Sequence, residues 1–395
     1  MKIINFILFT IIYFSASIVL MGNPYRPLAP GLIYVRYACI ILCFTILILV
    51  YFRKKGLTIT RFPSFFAFYI FIIWVLFSFS VILSEILHDS FPTQGMFFLL
   101  VVPFIYYTVM PYVTNLSGPV IHYSLFTANF IYILISFITV PVQFLPYYGI
   151  VANPNGFGQI GAIAVIAGIF LLFTLPSRRK LTKVLVCASV VLSLVGVILS
   201  SSRTSILVIG MVTLIFATYS IVIQKNMKPL LIIIFAGIIS WFSPIKELFI
   251  TGMVDKFSTF YNEGDLLNGR LGIWEIVFND SALFGNGEDY FQKFFEGAHN
   301  SIVYILGVYG TVPALLLTIF LLLLIVIGFL NILKNKNDKF AIFPFVIIVT
   351  FFLFSMTEAM FGLIGNGITI AFYHVVGILL FKAKLKKEAK NSSPI

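Results

Sequence analysis

From Gly285 to Leu330 the chain reads GNGEDYFQKFFEGAHNSIVYILGVYGTVPALLLTIFLLLLIVIGFL. Acids, a lysine and a histidine crowd its first part, and from Asn300 to Leu330 there is no charged side chain. About 20 apolar residues suffice for a helix to cross the hydrocarbon core of a bilayer. The junction at His299–Asn300 therefore reads as the place where an aqueous loop enters a membrane. Working outward in both directions, comparable apolar runs recur at 3–21, 32–52, 64–87, 95–111, 119–141, 157–175, 184–200, 204–223, 229–243, 340–361 and 365–381. With 300–330 these make twelve predicted spans. The run at 95–111 is the weakest, since Pro103 interrupts it, and 300–330 is overlong, so it tilts or begins as an interfacial turn.

Composition agrees. Of 395 residues, 60% are hydrophobic and only 10% charged, against about 25% charged in an ordinary soluble domain. The reading is an all-α, polytopic integral membrane protein, with a single integral domain over residues 1–381 and a basic tail over 382–395.

The net charge of +12 would suit a nucleic-acid partner, but the placement of the charges excludes one. Lys2, Arg53, Lys54, Lys55, Arg61, Arg178, Arg179, Lys180, Lys183, Lys225, Lys228, Lys334, Lys336, Lys339 and five lysines from Lys382 to Lys390 fall on one side of the predicted spans. Those are 19 of 26 basic residues, accompanied by two acids, Asp338 and Glu388. The positive-inside rule makes that side, and both termini, cytoplasmic. The basic clusters serve topology and anionic lipid. Lys2, the apolar run and Ser15–Ala16–Ser17 resemble a secretory signal, but the run continues through Met21, so an uncleaved first span is expected. Cys39, Cys43 and Cys187 lie within spans, with no histidine at ligand-like spacing, and no metal or cofactor is expected.

The same topology places Pro244–His299 outside, between spans nine and ten. This 56-residue loop holds 9 of the 14 acids, yet its only arginine or histidine side chains are Arg270 and His299. Loops beyond about 12–15 residues are functional or disordered, and the frequent Phe, Trp and Leu here argue for order. Asn268 can cap a helix from Gly269. Leu271, Trp274 and Phe278 then share one face and Trp274 suits a bilayer interface, so the simplest reading is a short helix lying on the outer leaflet, with Arg270 either on or beside the indole one turn away or anchoring the helix to lipid phosphate.

Four external features carry chemistry. Ser200–Ser205 places Arg203 among hydroxyls, where it can bind phosphate or snorkel to a headgroup. Asn153–Pro154–Asn155–Gly156 turns into span six and can offer backbone N–H groups to an anion, or be a plain loop. Arg270 and His299 complete the set. Arginine's planar fork matches phosphate oxygens, and histidine is suited to take a hydroxyl proton near neutral pH. A lipid-pyrophosphate donor meeting a sugar acceptor needs both functions, and little acid catalysis. Glu358, near the outer end of its span, can line the same cavity and assist the base, or simply be solvated there. Glu85 is a second intramembrane acid. His88, His122 and His374 read as packing or locally bonded histidines, and Glu288–Asp289 as a solvated loop pair without the oxygens of a hard-cation site.

These motifs resemble the O-antigen ligase/polymerase superfamily of bacterial membrane glycosyltransferases. The resemblance runs from Asn153 onward, through Ser201–Thr204, the Arg-x-x-x-Trp of Arg270 and Trp274, Leu283–Phe284–Gly285–Asn286–Gly287, then His299–Asn300 with Gly307 and Gly310. Ser281–Ala282 stands where many relatives have a proline before the glycine element. The resemblance implies about twelve spans in the bacterial cytoplasmic membrane, an active site facing the periplasm or cell exterior, and inverting transfer from undecaprenyl pyrophosphate without an essential metal. Under it, Arg203 and Arg270 hold the donor pyrophosphate and His299 deprotonates or orients the acceptor hydroxyl. Asn153, Asn155, Trp274, Asn300 and Glu358 are the further substrate-binding candidates. The partners implied are an undecaprenyl-pyrophosphate-linked oligosaccharide, an acceptor glycan, the lipid bilayer and a chain-length regulator. Polymerisation of O-antigen or capsular repeat units is the preferred activity. The alternatives are ligation of finished glycan onto a lipid A core or protein, and flipping of a lipid-linked oligosaccharide, which the concentration of polar residues in one external loop disfavours.

Overall fold

The computed structural model of the chain describes residues 2–22, 28–55, 62–117, 120–176, 178–227, 247, 269–294, 297–362 and 364–381. All regular structure among them is helical. In chain order the helices are α1 (Lys2–Ser17), α2 (Pro30–Lys55), α3 (Phe65–Leu87), α4 (Thr93–Met96), α5 (Met110–Ser117), α6 (Val120–Thr139), α7 (Pro154–Thr174), α8 (Lys180–Leu199), α9 (Arg203–Val222), α10 (Arg270–Asn279), α11 (Ser301–Tyr309), α12 (Thr311–Lys334), α13 (Ile342–Ser355) and α14 (Gly367–Leu380). Nine described helical stretches are long and apolar enough to cross a membrane, and α13 and α14 are shorter apolar helices. Helices are what a bilayer permits, because every backbone polar group must find its partner within the segment. The predicted ninth span at 229–243, Asn268, and the tail at 382–395 lie outside the described residues.

Two predicted spans take a different form. Between α4 and α5 the chain continues as a π-helix over Phe97–Val109 around Pro103, and Met110 N–H donates to Ile105 O five residues back. Proline has no N–H and its ring crowds the preceding turn, which a wider turn relieves. The overlong run at 300–330 is not one tilted span. It breaks at Gly310, whose φ of 102° is left-handed, so that α11 is a separate short helix before the membrane-length α12.

Between helices in lipid there is no hydrophobic drive, and close packing has to do the work. Small residues supply it along α7, the most enclosed long helix, with 83% of its apolar window buried. A Cβ at Gly158 would collide with Ser202 of the α8–α9 turn, one at Gly168 with Val190, and one at Gly161 would come within 2.6 Å of Val197 Cγ2. Helix α7 packs against α6, α8 and α9, while α1 packs against α2, α6 and α14, and α3 lies on α12. A second centre forms round Trp74, wholly buried, whose ring meets Phe98, Tyr107, Phe320 and Tyr373 and whose Nε1 donates to Phe98 O at 2.9 Å. At one end of the bundle the loops after α9 and α12 touch, Gln224 Nε2 donating to Lys336 O at 3.0 Å. The starts of α7, α9, α11 and α14 gather at the other.

Candidate functional site

His299 is the residue the local fold takes most trouble to place. It has a φ of 47°, a left-handed conformation uncommon outside glycine and asparagine and frequent at functional positions. The next residue fixes it from one side. Asn300 caps α11, its Oδ1 accepting from Ile302 N and Val303 N at 2.9 and 3.1 Å, and its Nδ2 donates to Met356 O at 3.2 Å. From the other side, Trp274 Nε1 donates to Ala298 O at 2.8 Å. Asn300 and Trp274, both expected to touch substrate, spend these polar groups on holding the backbone around His299.

The glycine element acts on the same helix. Asn286 N and Gly287 N donate to Val308 O at 3.2 and 3.1 Å, and Thr311 N donates to Ala282 O at 2.9 Å. A Cβ on Gly285 would fall on Val308 O and one on Gly310 would fall on Gly285 N, so the two glycines let their backbones meet. The segment 282–287 thus clasps the α11–α12 break, and after Ser281–Ala282 the chain turns over Leu283–Phe284, with Gly285 N donating to Ala282 O at 3.4 Å. Farther along, Lys293 Nζ bonds Asp280 Oδ2 at 2.7 Å and the Tyr290 hydroxyl bonds the same oxygen at 2.9 Å. These bonds, Lys293's first, hold the Asp280 carboxyl below its usual range.

The turn after α13 brings the acid. Glu358 Oε2 lies 3.1 Å from His299 Nδ1, with both side chains 24% exposed. The loop carrying Glu358 is pinned by Ser301, whose Oγ donates to Glu358 O and accepts from Met360 N, both at 2.9 Å. Arg270, the first residue of α10, directs NH1 to Thr357 O at 3.4 Å, one residue from Glu358, and its buried Nε has no hydrogen-bond partner among the described residues. Trp274, one turn along, gives its indole N–H to Ala298 O. On α10 Leu271 and Phe278 are exposed, free to face lipid, while Val277 with Ile273 and Trp274 packs inward.

Arg203 is the first residue of α9. Ser201 precedes it at a left-handed φ of 51°, and the Ser202 and Ser205 hydroxyls bond each other at 2.8 Å against Gly158. Arg203 is partly buried, and the Arg270 guanidinium lies within its electrostatic reach. Arg203, Arg270, Glu358 and His299 are thereby brought to one end of the bundle from four separate parts of the chain.

Beside them opens a cavity of about 510 Å3 lined by Arg36, Tyr37, Asn153, Asn155, Gln159, Glu358 and Asn366, among others. Asn153 and Asn155 therefore do share a cavity with Glu358. The Asn155 N–H, however, donates at 2.8 Å to the Asn153 side chain that caps α7, so that backbone donor is already taken. Arg36, Gln159 and Asn366 were not among the sequence candidates. Arg36 had a visible signal, since it is the only charged residue between Pro30 and Phe52, and an ionisable side chain inside a span is a functional hypothesis in its own right.

The other titratable candidates serve the scaffold. Glu85 accepts from Gln94 N and Gly95 N, both at 2.9 Å, at the start of α4. His88 Nδ1 lies 2.8 Å from Ser84 O, His374 bridges the Tyr13 and Thr114 hydroxyls at 3.0 and 2.7 Å, and His122 is packed by Phe170, Phe340 and Phe343. Asp289 bonds Gln292, and the described residues contain no group of three or more His, Cys, Asp or Glu that could hold a metal.

Chemically, a carboxylate that accepts from Nδ1–H orients an imidazole and stabilises the imidazolium it becomes, leaving the lone pair on Nε2. Two neighbouring guanidinium groups suit a doubly charged, multi-oxygen anion. The chain matches no protein-family model, and no curated protein shows significant similarity to its sequence.

Proposed function

We propose that the protein is a membrane glycosyltransferase of the O-antigen ligase/polymerase type, joining repeat units carried on polyprenyl pyrophosphate at the outer face of the bacterial cytoplasmic membrane. The observation that supports it is the His299–Glu358 pair at 3.1 Å, with Arg270 NH1 on Thr357 O next to Glu358 and Arg203 within electrostatic reach of Arg270. In the reaction the acceptor hydroxyl oxygen attacks the anomeric carbon of the donor sugar. His299 Nε2 takes the hydroxyl proton as the new C–O bond forms. The bond to the pyrophosphate breaks, and the carrier leaves with the electron pair, its charge held by Arg203 and Arg270. A diphosphate leaving group needs cations more than a proton. Glu358 does not meet the substrate's reacting atoms in this scheme and is a positioning residue for His299.

The test is elongation of a purified lipid-linked repeat unit by the full-length protein in detergent. His299→Ala is expected to slow elongation by about 10² to 10⁴-fold, the usual worth of a positioned general base. Arg203→Lys is expected to impair turnover as well, because a point charge cannot reproduce a bidentate fork. Unchanged chain growth in His299→Ala would overturn the assignment. Transfer of finished glycan to lipid A core, with no elongation, would turn the reading from polymerase to ligase.

A further inference from the structure

Arg36 sits six residues after the first residue of α2, about 9 Å along its axis, and is only 7% exposed. A buried guanidinium needs its charge answered, yet among the described residues no carboxylate pairs with it. It has five N–H donors to place. One NH2 hydrogen goes to Gly365 O at 2.7 Å, Tyr37 lies under it with 5.3 Å from Cζ to the ring centroid, and its buried Nε has no hydrogen-bond partner among the described residues. Anchoring the loop before α14 therefore does not use up this side chain.

What surrounds it has the character of a sugar site. The cavity Arg36 lines is also lined by Asn153, Asn155, Gln159 and Asn366, residues whose carboxamides donate to and accept from hydroxyls, although Asn153 Oδ1 already caps α7 and Asn366 bonds Gln159 and Thr369. Its volume of about 510 Å3 falls among those of small-molecule sites. Among the described residues Arg203, Arg270 and His299 do not line it, whereas Glu358 does and also bonds His299. Arg36 is the one cation among its described lining residues, which with the nearby Glu358 carboxylate favours a singly charged group over a multiply charged one.

We infer that the Arg36 cavity is the acceptor subsite and that it takes a sugar bearing a carboxylate, held by the Arg36 guanidinium with its hydroxyls on the surrounding amides. The word acceptor rests on the glycosyl-transfer reading; the binding of an acidic sugar does not.

The experiment measures thermal unfolding of the full-length protein in a detergent without a sugar headgroup, with D-glucuronate, D-glucose or sodium chloride at matched ionic strength. Glucuronate is expected to raise the midpoint above both controls in the wild type and in His299→Ala. Arg36→Gln is expected to abolish that rise, weakening glucuronate at least tenfold, and Arg36→Lys to restore part of it. A glucuronate effect no larger than that of glucose would overturn the inference. So would an effect that survives Arg36→Gln, or one lost in Arg203→Gln but kept in Arg36→Gln. If Arg36→Gln does not fold, Gln159→Leu should lower the glucuronate effect with Arg36 in place, and no change there would also overturn it. Glucuronate binding with no transfer activity would sink the glycosyltransferase reading alone, and His299-dependent transfer without glucuronate binding would sink this one alone.

Discussion

At the scale of single residues, the bond between His299 and Glu358 makes the sharpest claim. A carboxylate 3.1 Å from Nδ1 fixes which imidazole nitrogen carries the proton and opposes the charge that develops when the other takes one. Glu358→Gln keeps an oxygen acceptor at the same place but removes the charge and offers an amide that can present the wrong group. Turnover is expected to fall by roughly 10² to 10⁴-fold, with KM for the lipid-linked donor little changed, because in the proposed reaction Arg203 and Arg270, not Glu358, hold the pyrophosphate. Initial rates over a donor series check this. A raised KM at unchanged kcat would mean that Glu358 binds substrate directly. The glutamate could be found in sequence as an intramembrane acid near a span end. That it can assist His299 was also readable, but the direct bond was not, since the two lie 59 positions apart and nothing local in either segment encodes the contact.

At the scale of elements, function rests on how a nine-residue helix is held. Helix α11 begins with a cap from Asn300 and ends at the Gly310 break, where segment 282–287 joins it through backbone bonds. Asn300→Ala removes the cap at a cost of about 1 kcal/mol and also releases Met356 O in the turn that carries Glu358. Thermal stability should therefore drop modestly while turnover drops by a larger factor, because both halves of the His299–Glu358 pair lose an anchor at once. Parallel unfolding and elongation measurements decide it; equal proportional losses in the two would show a cap and nothing more. Glycines 285, 287, 307 and 310 were visible as a spaced motif, but which backbones they allow to meet was not. The stripe of α10 is legible only in part: Leu271 and Phe278 are exposed as a lipid-facing side would be, but next to a membrane the exposed side can be apolar too, so periodicity alone does not single out Val277 as the residue that packs inward. Apolar run length did not suffer in this way: α1 to α3, α6 to α9 and α12 fall on predicted runs, the run 95–111 is mostly the π-helix between α4 and α5, and the overlong run begins as a short separate segment whose break, at Gly310, carries no mark of its left-handed φ in the sequence.

Across the whole molecule, the most enclosed long helix is the one that carries the turn at Asn153, and its packing couples the scaffold to the site. Gly158 and Gly168 lie ten residues apart on α7, and both are covered by side chains that a methyl group would displace: Ser202 at the first, Val190 and the Phe126 ring at the second. Overpacking of this kind costs about 1–3 kcal/mol, so Gly158→Ala and Gly168→Ala should lower thermal stability by similar amounts. Their effects on turnover should differ. Ser202 directly precedes Arg203 and bonds Ser205 at 2.8 Å, so a methyl on Gly158 pushes on the turn that aims Arg203, and a displacement near 1 Å at a positioning group can cost about 10²-fold in rate. Val190 lies on α8 midway along the helix, remote from the Ser200–Ser202 turn, and its displacement is absorbed between α7 and α8. Elongation assays on the two variants, at a temperature where both are fully folded, should therefore show a large loss for Gly158→Ala and near wild-type rates for Gly168→Ala. Equal rates would mean that α7 holds the bundle together without setting the position of Arg203, and the role given to that arginine would then have to rest on Arg203→Lys alone.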